Sequence, residues 1–302
     1  MVRAGGIDLS GTKIEAQKFD RNWNIIDKRR VDTPKVYEDL VSAVAGQVAW
    51  LCSEQDMIPV GIAAAGLNEP GSGNWIAANL SANGKPFVTD VASVTGLRIK
   101  WVNDSRAFTQ AEAIFGSECT KGLMVGLVLG TGIAGGIAID GMLINQGKGQ
   151  SGEFGHLPIS AAVLARHGLP ALKRGRGWIG YCATYGSGPG MQRLAQHLLG
   201  RDLSTRNIVE VREIPEIITV WNVWIEINTA LISTIIMVVD PTTIVLGGGM
   251  SQVPGLVNSL RRSLKDIAWG AFPLPTIEVG ACGKTAAALG AAYSAQKAGD
   301  HA

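Results

Sequence analysis

Charge is scarce in this sequence, and neither sign dominates. Charged residues fill 17% of 302 positions, and 27 basic against 25 acidic side chains leave a net charge of +2. A nucleic-acid backbone would find no broad basic field here, which excludes nucleic acid as a partner. Cysteine is sparse too. Cys52, Cys119, Cys182 and Cys282 stand far apart with no CxxC pair, the pattern of scattered thiols in a reducing compartment. Long apolar runs are missing. The most apolar stretch, Ile227 to Val239, is 13 residues between Glu226 and Asp240, and it contains Asn228, Thr229, Ser233 and Thr234. A membrane span needs ~20 apolar residues, so this segment reads as a buried core helix and no membrane partner is expected. At the N-terminus Asp8 arrives before any signal-peptide core can form. A cytoplasmic protein is expected.

What is plentiful points to a packed α/β chain. Hydrophobic residues reach 46%, which excludes disorder, and the 39 glycines cluster in short loops, which excludes a collagen-like chain. The first seventy residues read β-β-β-α-β. Val2 to Leu9 is apolar, Ile14 to Phe19 alternates, Ile25 to Asp32 makes a third strand, and Leu40, Val41, Val44, Val48 and Leu51 recur at helical spacing. Val60 to Ala64 is a short buried strand that enters the loop Gly66 to Gly71. The same order returns later. Gly122 to Leu129, a glycine loop, Ala134 to Ile139 and the hairpin turn Asp140-Gly141 echo the opening hairpin and third strand. Such an echo predicts two domains built on equivalent sheets. Ser187 to Leu199 and Ile214 to Val239 carry helical spacing, with Trp221, Trp224, Leu231 and Ile235 on one stripe, and the alanine-rich Thr285 to Lys297 is the last helix.

Chemistry collects in five short segments. Asp8-Leu9-Ser10-Gly11-Thr12-Lys13 sets an acid at a strand end before a turn of small residues, whose N–H groups can approach phosphate oxygens beside Lys13. Gly130-Thr131-Gly132-Ile133-Ala134-Gly135-Gly136 is a second loop of this kind. It has the spacing of a dinucleotide motif, but that motif must open a helix, and here a strand and a hairpin follow. Gly247-Gly248-Gly249 ends a buried strand and would let a flat ligand lie on the backbone. Asn103-Asp104 ends the strand Ile99 to Val102, where the carboxylate suits a general base, although a helix cap is the plainer reading. Gly152-Glu153-Phe154-Gly155-His156 holds two polar side chains among close-packing glycines. Two phosphate loops, a glycine floor and one poised acid predict ATP-dependent phosphoryl transfer to a hydroxyl.

The order of these segments resembles the ROK family of sugar kinases across nearly the whole chain, and within it the bacterial N-acetylglucosamine kinases. Asn79-Leu80-Ser81-Ala82-Asn83-Gly84-Lys85-Pro86, Gly126 to Gly132 and Gly168-Leu169-Pro170 carry the closer likeness. The resemblance implies an actin-like ATPase (ribonuclease H-like) α/β fold, duplicated into two lobes around a cleft. A small lobe would hold residues 1–103 and 285–302, and a large lobe residues 104–284. It implies ATP and Mg²⁺ as cofactors, a hexose or N-acetylhexosamine phosphorylated at its 6-hydroxyl, and a homodimer. N-acetyl-D-glucosamine leads as substrate, with glucose, N-acetylmannosamine and fructose as alternatives. Asp104 would be the base. Gly66, Asn83, Asn103, Glu153 and His156 would join it in holding the sugar. Asp8, Ser10, Gly11, Thr12, Lys13, Gly130, Thr131, Gly132, Gly135, Gly248 and Gly249 would serve the nucleotide and its metal.

One departure is large. The family's CxCGxxGCxE segment supplies three cysteines to a structural zinc, and this chain has Arg174, Arg176 and Tyr181 at those positions, with Cys182 one place out of register. The glutamate that would touch the sugar is Ala183. Only His156 remains of four ligands, so no structural zinc is expected. Trp178, Ile179 and Tyr181 would form an apolar cluster in its place. Two rivals follow. A repressor of the same family would need a DNA-binding module ahead of Asp8, where only seven residues stand. A non-catalytic sugar-binding relative would explain the lost zinc ligands, but it has no need of Asp104 and two phosphate loops.

Overall fold

The computed structural model describes residues 2–52, 57–116, 122–144, 149–174 and 178–299. Two five-stranded sheets carry the chain, and their strand orders are the same. The first uses β1 (Ala4–Leu9), β2 (Lys13–Phe19), β3 (Ile25–Asp32), β4 (Val60–Ala64) and β7 (Lys100–Asn103) in the order β3-β2-β1-β4-β7. A small hairpin, β5 (Leu67–Asn68) with β6 (Trp75–Ile76), follows β4. The second sheet orders β8 (Leu123–Leu129), β9 (Ile133–Ile139), β10 (Met142–Leu143), β13 (Thr243–Gly247) and β14 (Thr276–Val279) as β10-β9-β8-β13-β14. In each, two parallel strands are added beside the first strand of the opening meander. The echo read in the sequence is therefore a duplicated topology.

Burial explains the strands. β1 and β4 lie inside the sheet and are almost wholly apolar and small, as strands covered on both faces must be. β3, at the edge, is nearly all exposed and carries Lys28, Arg29 and Arg30, charges that discourage another strand from pairing there. The β9–β10 hairpin turns on Asp140 and Gly141, both with positive φ (48° and 80°), the conformation that the Asp-Gly pair predicts.

By contact the chain divides into two units: residues 1–120, 136–151 and 281–302, and residues 121–135 and 152–280. The sequence reading put the boundary at 103 and began the C-terminal return at 285. The structure instead gives the first unit α3 (Asp104–Ala111) and the one-turn π-helix that continues it (Glu112–Gly116). Two contacts explain this. A Cβ at Gly290, on the last helix α10 (Ala286–Gly299), would lie 1.9 Å from the Ala107 carbonyl oxygen, so the two helices meet backbone to backbone. The wholly buried Glu112 carboxylate accepts the N–H groups of Ala281 and Cys282, each at 2.9 Å. In this first unit α1 (Tyr37–Leu51) and α2 (Phe87–Thr95) join the sheet in one apolar cluster, which holds Ile7, Leu9, Val44, Ile62 and Phe87. The alanines of α10 join Ala4 and Phe19 in another.

The small residues of α10 and the sheet glycines are two halves of one contact. A Cβ at Gly6 or Gly61 would come within 2.0 Å of the carbonyl oxygen of Ala288 or Ala291. Gly61→Ala is therefore expected to cost about 1–3 kcal/mol, because helix and strand must separate to admit it. Chemical denaturation checks this, and unchanged stability would mean that the helix shifts freely.

The second unit adds α4 (Ala161–Arg166), the β11–β12 hairpin (Lys173–Arg174 with Trp178–Ile179), α5 (Cys182–Gly186), α6 (Gly188–Leu199), α7 (Thr205–Glu210), α8 (Pro215–Val239) and α9 (Leu256–Asp266). By length and composition α8 is apolar enough to cross a membrane, at 25 residues and a hydropathy of 1.6. It is nonetheless a core helix. Trp224 and Asn228 are fully buried, the Asn228 amide donates to the Gly186 and Trp224 carbonyls, and Glu226 halfway along pairs with Arg166 and His167. Trp221 and Trp224 stack at 5.7 Å in the interior. Cys182 is buried, and burial pushes its thiol up to about 12; Cys52 and Cys282 are half-buried, and Cys119 lies outside the described residues.

Candidate active site

In the first unit the polar residues gather at the carboxyl ends of the parallel strands β1, β4 and β7. In an open parallel sheet that edge is where ligands bind, since the strands end there and the chain turns away. Registers Leu9–Ala64 and Ala64–Asn103 set Asp8, Asn103 and Asp104 along this edge. Lys13 Nζ lies 3.1 Å from Asp8 Oδ2 and 3.7 Å from Glu15. Burial raises the Asp8 carboxyl above its ordinary range, against the lowering pull of Lys13. Asp104 is raised for two reasons, burial first and the negative charge of Asp8 second, while the Ser105 N–H donating at 2.8 Å to Oδ1 works the other way. Two carboxyls thus feel each other at one sheet edge.

The turn after β1 is fixed from within. Ser10 Oγ accepts from the Lys13 N–H, Thr33 Oγ1 donates to the Ser10 carbonyl at 2.7 Å, and Lys35 Nζ donates to the Gly11 carbonyl at 2.9 Å. Gly11 sits close under Asn79, whose carbonyl oxygen would be 3.0 Å from a Cβ. Asn103 is the N-cap of α3: its Oδ1 accepts from Ser105 and Arg106, and its Nδ2 donates to the Gly66 carbonyl at 3.2 Å. The helix-cap reading was therefore the correct one for Asn103, while Asp104 occupies the first helical position. Gly66 has φ of 116° and is hemmed in by Ile76 and Trp75, so no side chain fits there. Asn83 accepts the Ala77 N–H through Oδ1.

In the second unit the glycines separate into two kinds. A Cβ at Gly130, Gly132 or Gly249 would meet no atom within 4 Å, and none of the three has a positive φ. Neither packing nor backbone conformation demands glycine there, so these positions keep open space in front of the backbone. Gly135 differs. Its Cβ would lie 1.9 Å from the Gly126 carbonyl oxygen and 2.9 Å from Phe154, which makes it a packing glycine within β9. Gly248 takes φ of 80° and would press on the Leu129 carbonyl, which brings the glycine run after β13 against the residue before Gly130. A further element was missed in the sequence. The Gly188 N–H donates to the Gly130 carbonyl at 2.8 Å, so the N-terminus of α6, capped by Ser187 and carrying a proline in its first turn, adjoins the loop. Ser187-Gly188-Pro189-Gly190 was the available signal.

Glu153 and His156 bracket a turn of 3₁₀ helix closed by the His156 N–H on the Glu153 carbonyl. Gly155 between them is in tight contact with the Ile133 carbonyl and with Ala183, whose Cβ would stand 3.0 Å from its own. Position 183, where the family has glutamate, therefore adjoins this turn. The Tyr181 ring meets the His156 ring edge to face at 4.9 Å. Backbone hydrogen bonds from Ile159 to Gly180 and from Cys182 to Leu157 tie the two segments together. Ile179 is 60% exposed, so it takes no part in the expected apolar cluster. Arg176 lies outside the described residues, as do the side chains of Arg174 and Trp178. Among the described residues no three His, Cys, Asp or Glu side chains converge as metal ligands do.

Duplicated sheets of this order, with hairpin turns and glycine loops at the strand ends, define an actin-like ATPase fold. The ROK family matches residues 4–298, and the chain belongs to it. It is 32% identical over 295 residues to an N-acetylgalactosamine kinase of Shewanella sp. (strain ANA-3), covering 95% of this chain and 94% of that one. It is 31% identical over 304 residues to an N-acetyl-D-glucosamine kinase of Citrobacter koseri, covering 95% and 97%. Among solved structures, a ROK hexokinase from Thermus thermophilus superposes with a TM-score of 0.87 over the whole of both chains at 24% identity. A ROK glucokinase from Streptomyces griseus, in complex with glucose and AMPPNP, gives 0.78 at 26% identity, covering 98% of this chain and all of that one.

Proposed function

We propose that this protein is an ATP-dependent kinase of N-acetylhexosamines, with N-acetyl-D-glucosamine as the leading substrate and the 6-hydroxyl as the acceptor. The observation that carries the reading is the pair Asp8 and Asp104 at one sheet edge, both raised, with the Asp8 charge acting on Asp104. A base with a raised pKa holds a proton better than an ordinary aspartate does. The sugar hydroxyl oxygen attacks the γ-phosphorus, the bond to the β–γ bridging oxygen breaks, ADP leaves, and the hydroxyl proton passes to Asp104. Phosphoryl transfer asks little else of the protein beyond alignment and neutralised charge.

Asp8 is a hard oxygen donor suited to the Mg²⁺ that accompanies ATP, with water between. Lys13 and the N–H groups of residues 10–12 serve one phosphate end. Gly130, Thr131, Gly132 and the α6 N-terminus serve the other, and Gly248 and Gly249 give the nucleotide its flat support. Gly66, Asn83, Asn103, Glu153 and His156 hold the sugar, Asn103 and Gly66 through a loop that they fix in common. A homodimer in the cytoplasm accords with this metabolic role.

A coupled assay with ATP against glucose, fructose, N-acetylmannosamine and both 4-epimers of the N-acetylhexosamines tests the reading. The highest kcat/KM is expected for N-acetylglucosamine. The Shewanella relative makes N-acetylgalactosamine the arm that would displace it, and no turnover on any sugar would sink the kinase reading. The protein also works without zinc: chelation followed by restored Mg²⁺ is expected to leave activity and melting temperature unchanged. One zinc per chain by elemental analysis would refute this.

A further inference from the structure

Arg106 is a buried cation outside this scheme. It sits in the first turn of α3, two residues after Asp104, and only 6% of it is exposed. Burying a guanidinium is costly unless its N–H groups find acceptors. Here Nε donates to the Ser151 carbonyl at 2.8 Å, and Nη2 donates to the Gly149 carbonyl. Both acceptors are neutral, two residues apart, on the stretch that runs directly into Gly152-Glu153. Gly149 and Gly152 have φ of 82° and 94°, so the backbone bends in the left-handed region at both ends of the clamped segment. Arg106 and Gly149 also line one cavity with Gly66, Trp75, Trp101 and Asn103.

We propose that Arg106 is a positioning residue for sugar binding. It holds residues 149–151 against the turn that bears Asn103 and Asp104, and so fixes the cavity wall beside Gly66 and Asn103. The planar fork of arginine suits two carbonyls at a set spacing, whereas a lysine ammonium reaches one of them well. The role acts through the segment and not through the charge on Asp104, whose raised carboxyl reflects burial and Asp8. The inference rests on the sugar-kinase reading, and its test separates the two.

In full-length protein, Arg106→Met is expected to weaken N-acetylglucosamine binding by calorimetry, and to raise its KM, by about 10- to 100-fold, the range for residues that hold a site's own contacts in place. The KM for ATP should stay within about two-fold. Arg106→Lys should recover part of the sugar affinity. Hydrogen exchange should quicken in residues 149–153 and not in α1. A purely structural role would instead lower the melting temperature and the active fraction while leaving both KM values alone, and that result overturns the proposal. Sugar affinity within about two-fold of the parent in Arg106→Lys and Arg106→Met also overturns it, as does an equal rise in the KM for ATP. If Arg106→Met does not fold, the sugar-against-ATP comparison in Arg106→Lys decides alone. A parent protein that neither binds nor phosphorylates any hexose removes the kinase reading itself, and this inference with it.

Discussion

An Asp104→Asn protein is expected to lose ~10²–10⁴-fold in kcat while binding sugar within a few-fold of the parent, because the amide keeps a hydrogen bond but accepts no proton. It should also melt at a higher temperature near neutral pH. The Asp104 carboxyl is raised in the folded protein by burial and by Asp8, so the folded state prefers it protonated. The stability it contributes is complete below the ordinary aspartate value and is lost as pH rises through the raised one. Asparagine mimics the neutral form and retains an acceptor for the Ser105 N–H. The gain in melting temperature should therefore shrink as pH falls toward about 4. Thermal scans over a pH series, run beside steady-state kinetics, check both halves. Near-parental turnover would move the base elsewhere, and a lower melting temperature at neutral pH would mean that the carboxylate is better accommodated than its burial implies.

Gly132→Val tests the second loop with the opposite logic. A Cβ there meets no protein atom within 4 Å, and the backbone is not left-handed, so the fold should tolerate a branched side chain. Phosphate oxygens that approach the backbone N–H groups would not, and kcat/KM for ATP is expected to fall by at least ~10²-fold while the melting temperature moves little. Gly135→Val supplies the contrast. Its Cβ would strike the Gly126 carbonyl, so it should fail by unfolding and not by losing ATP. If Gly132→Val unfolds the protein, or leaves ATP kinetics untouched, the loop is not the phosphate contact.

The difference between these two glycines marks how far the sequence could be read. Gly130 to Gly136 is one glycine-rich run, and nothing in its order says which members face a ligand and which face a neighbouring strand. Asn103-Asp104 could be read as a base or, more plainly, as a helix cap. The structure splits the pair, giving the cap to Asn103 and the first helical position, at the sheet edge, to Asp104. The domain boundary went astray for the same kind of reason. α3 follows a strand whose end looked like a border, but Gly290 on Ala107 and Glu112 on the 281–282 backbone bind it to the first unit across some 170 residues of chain. Arg106 gave no local sign at all, since its acceptors are carbonyls 43 and 45 positions away.

By itself the sequence determined several of the elements and the repetition of the opening meander. Alternation marked the hairpins, helical spacing marked α1, α6 and α8, Asp140-Gly141 marked its turn, and the second meander repeated the first, because these patterns depend on residues within one or two turns of each other. Only the tertiary structure decided which glycines leave space and which fill it, that Asp8 and Asp104 share an edge, and what the buried charges of Arg106 and Glu112 hold. Those outcomes depend on the distance between segments remote in the chain, and a carboxyl's pKa or a cavity's wall is set by whatever that distance brings near.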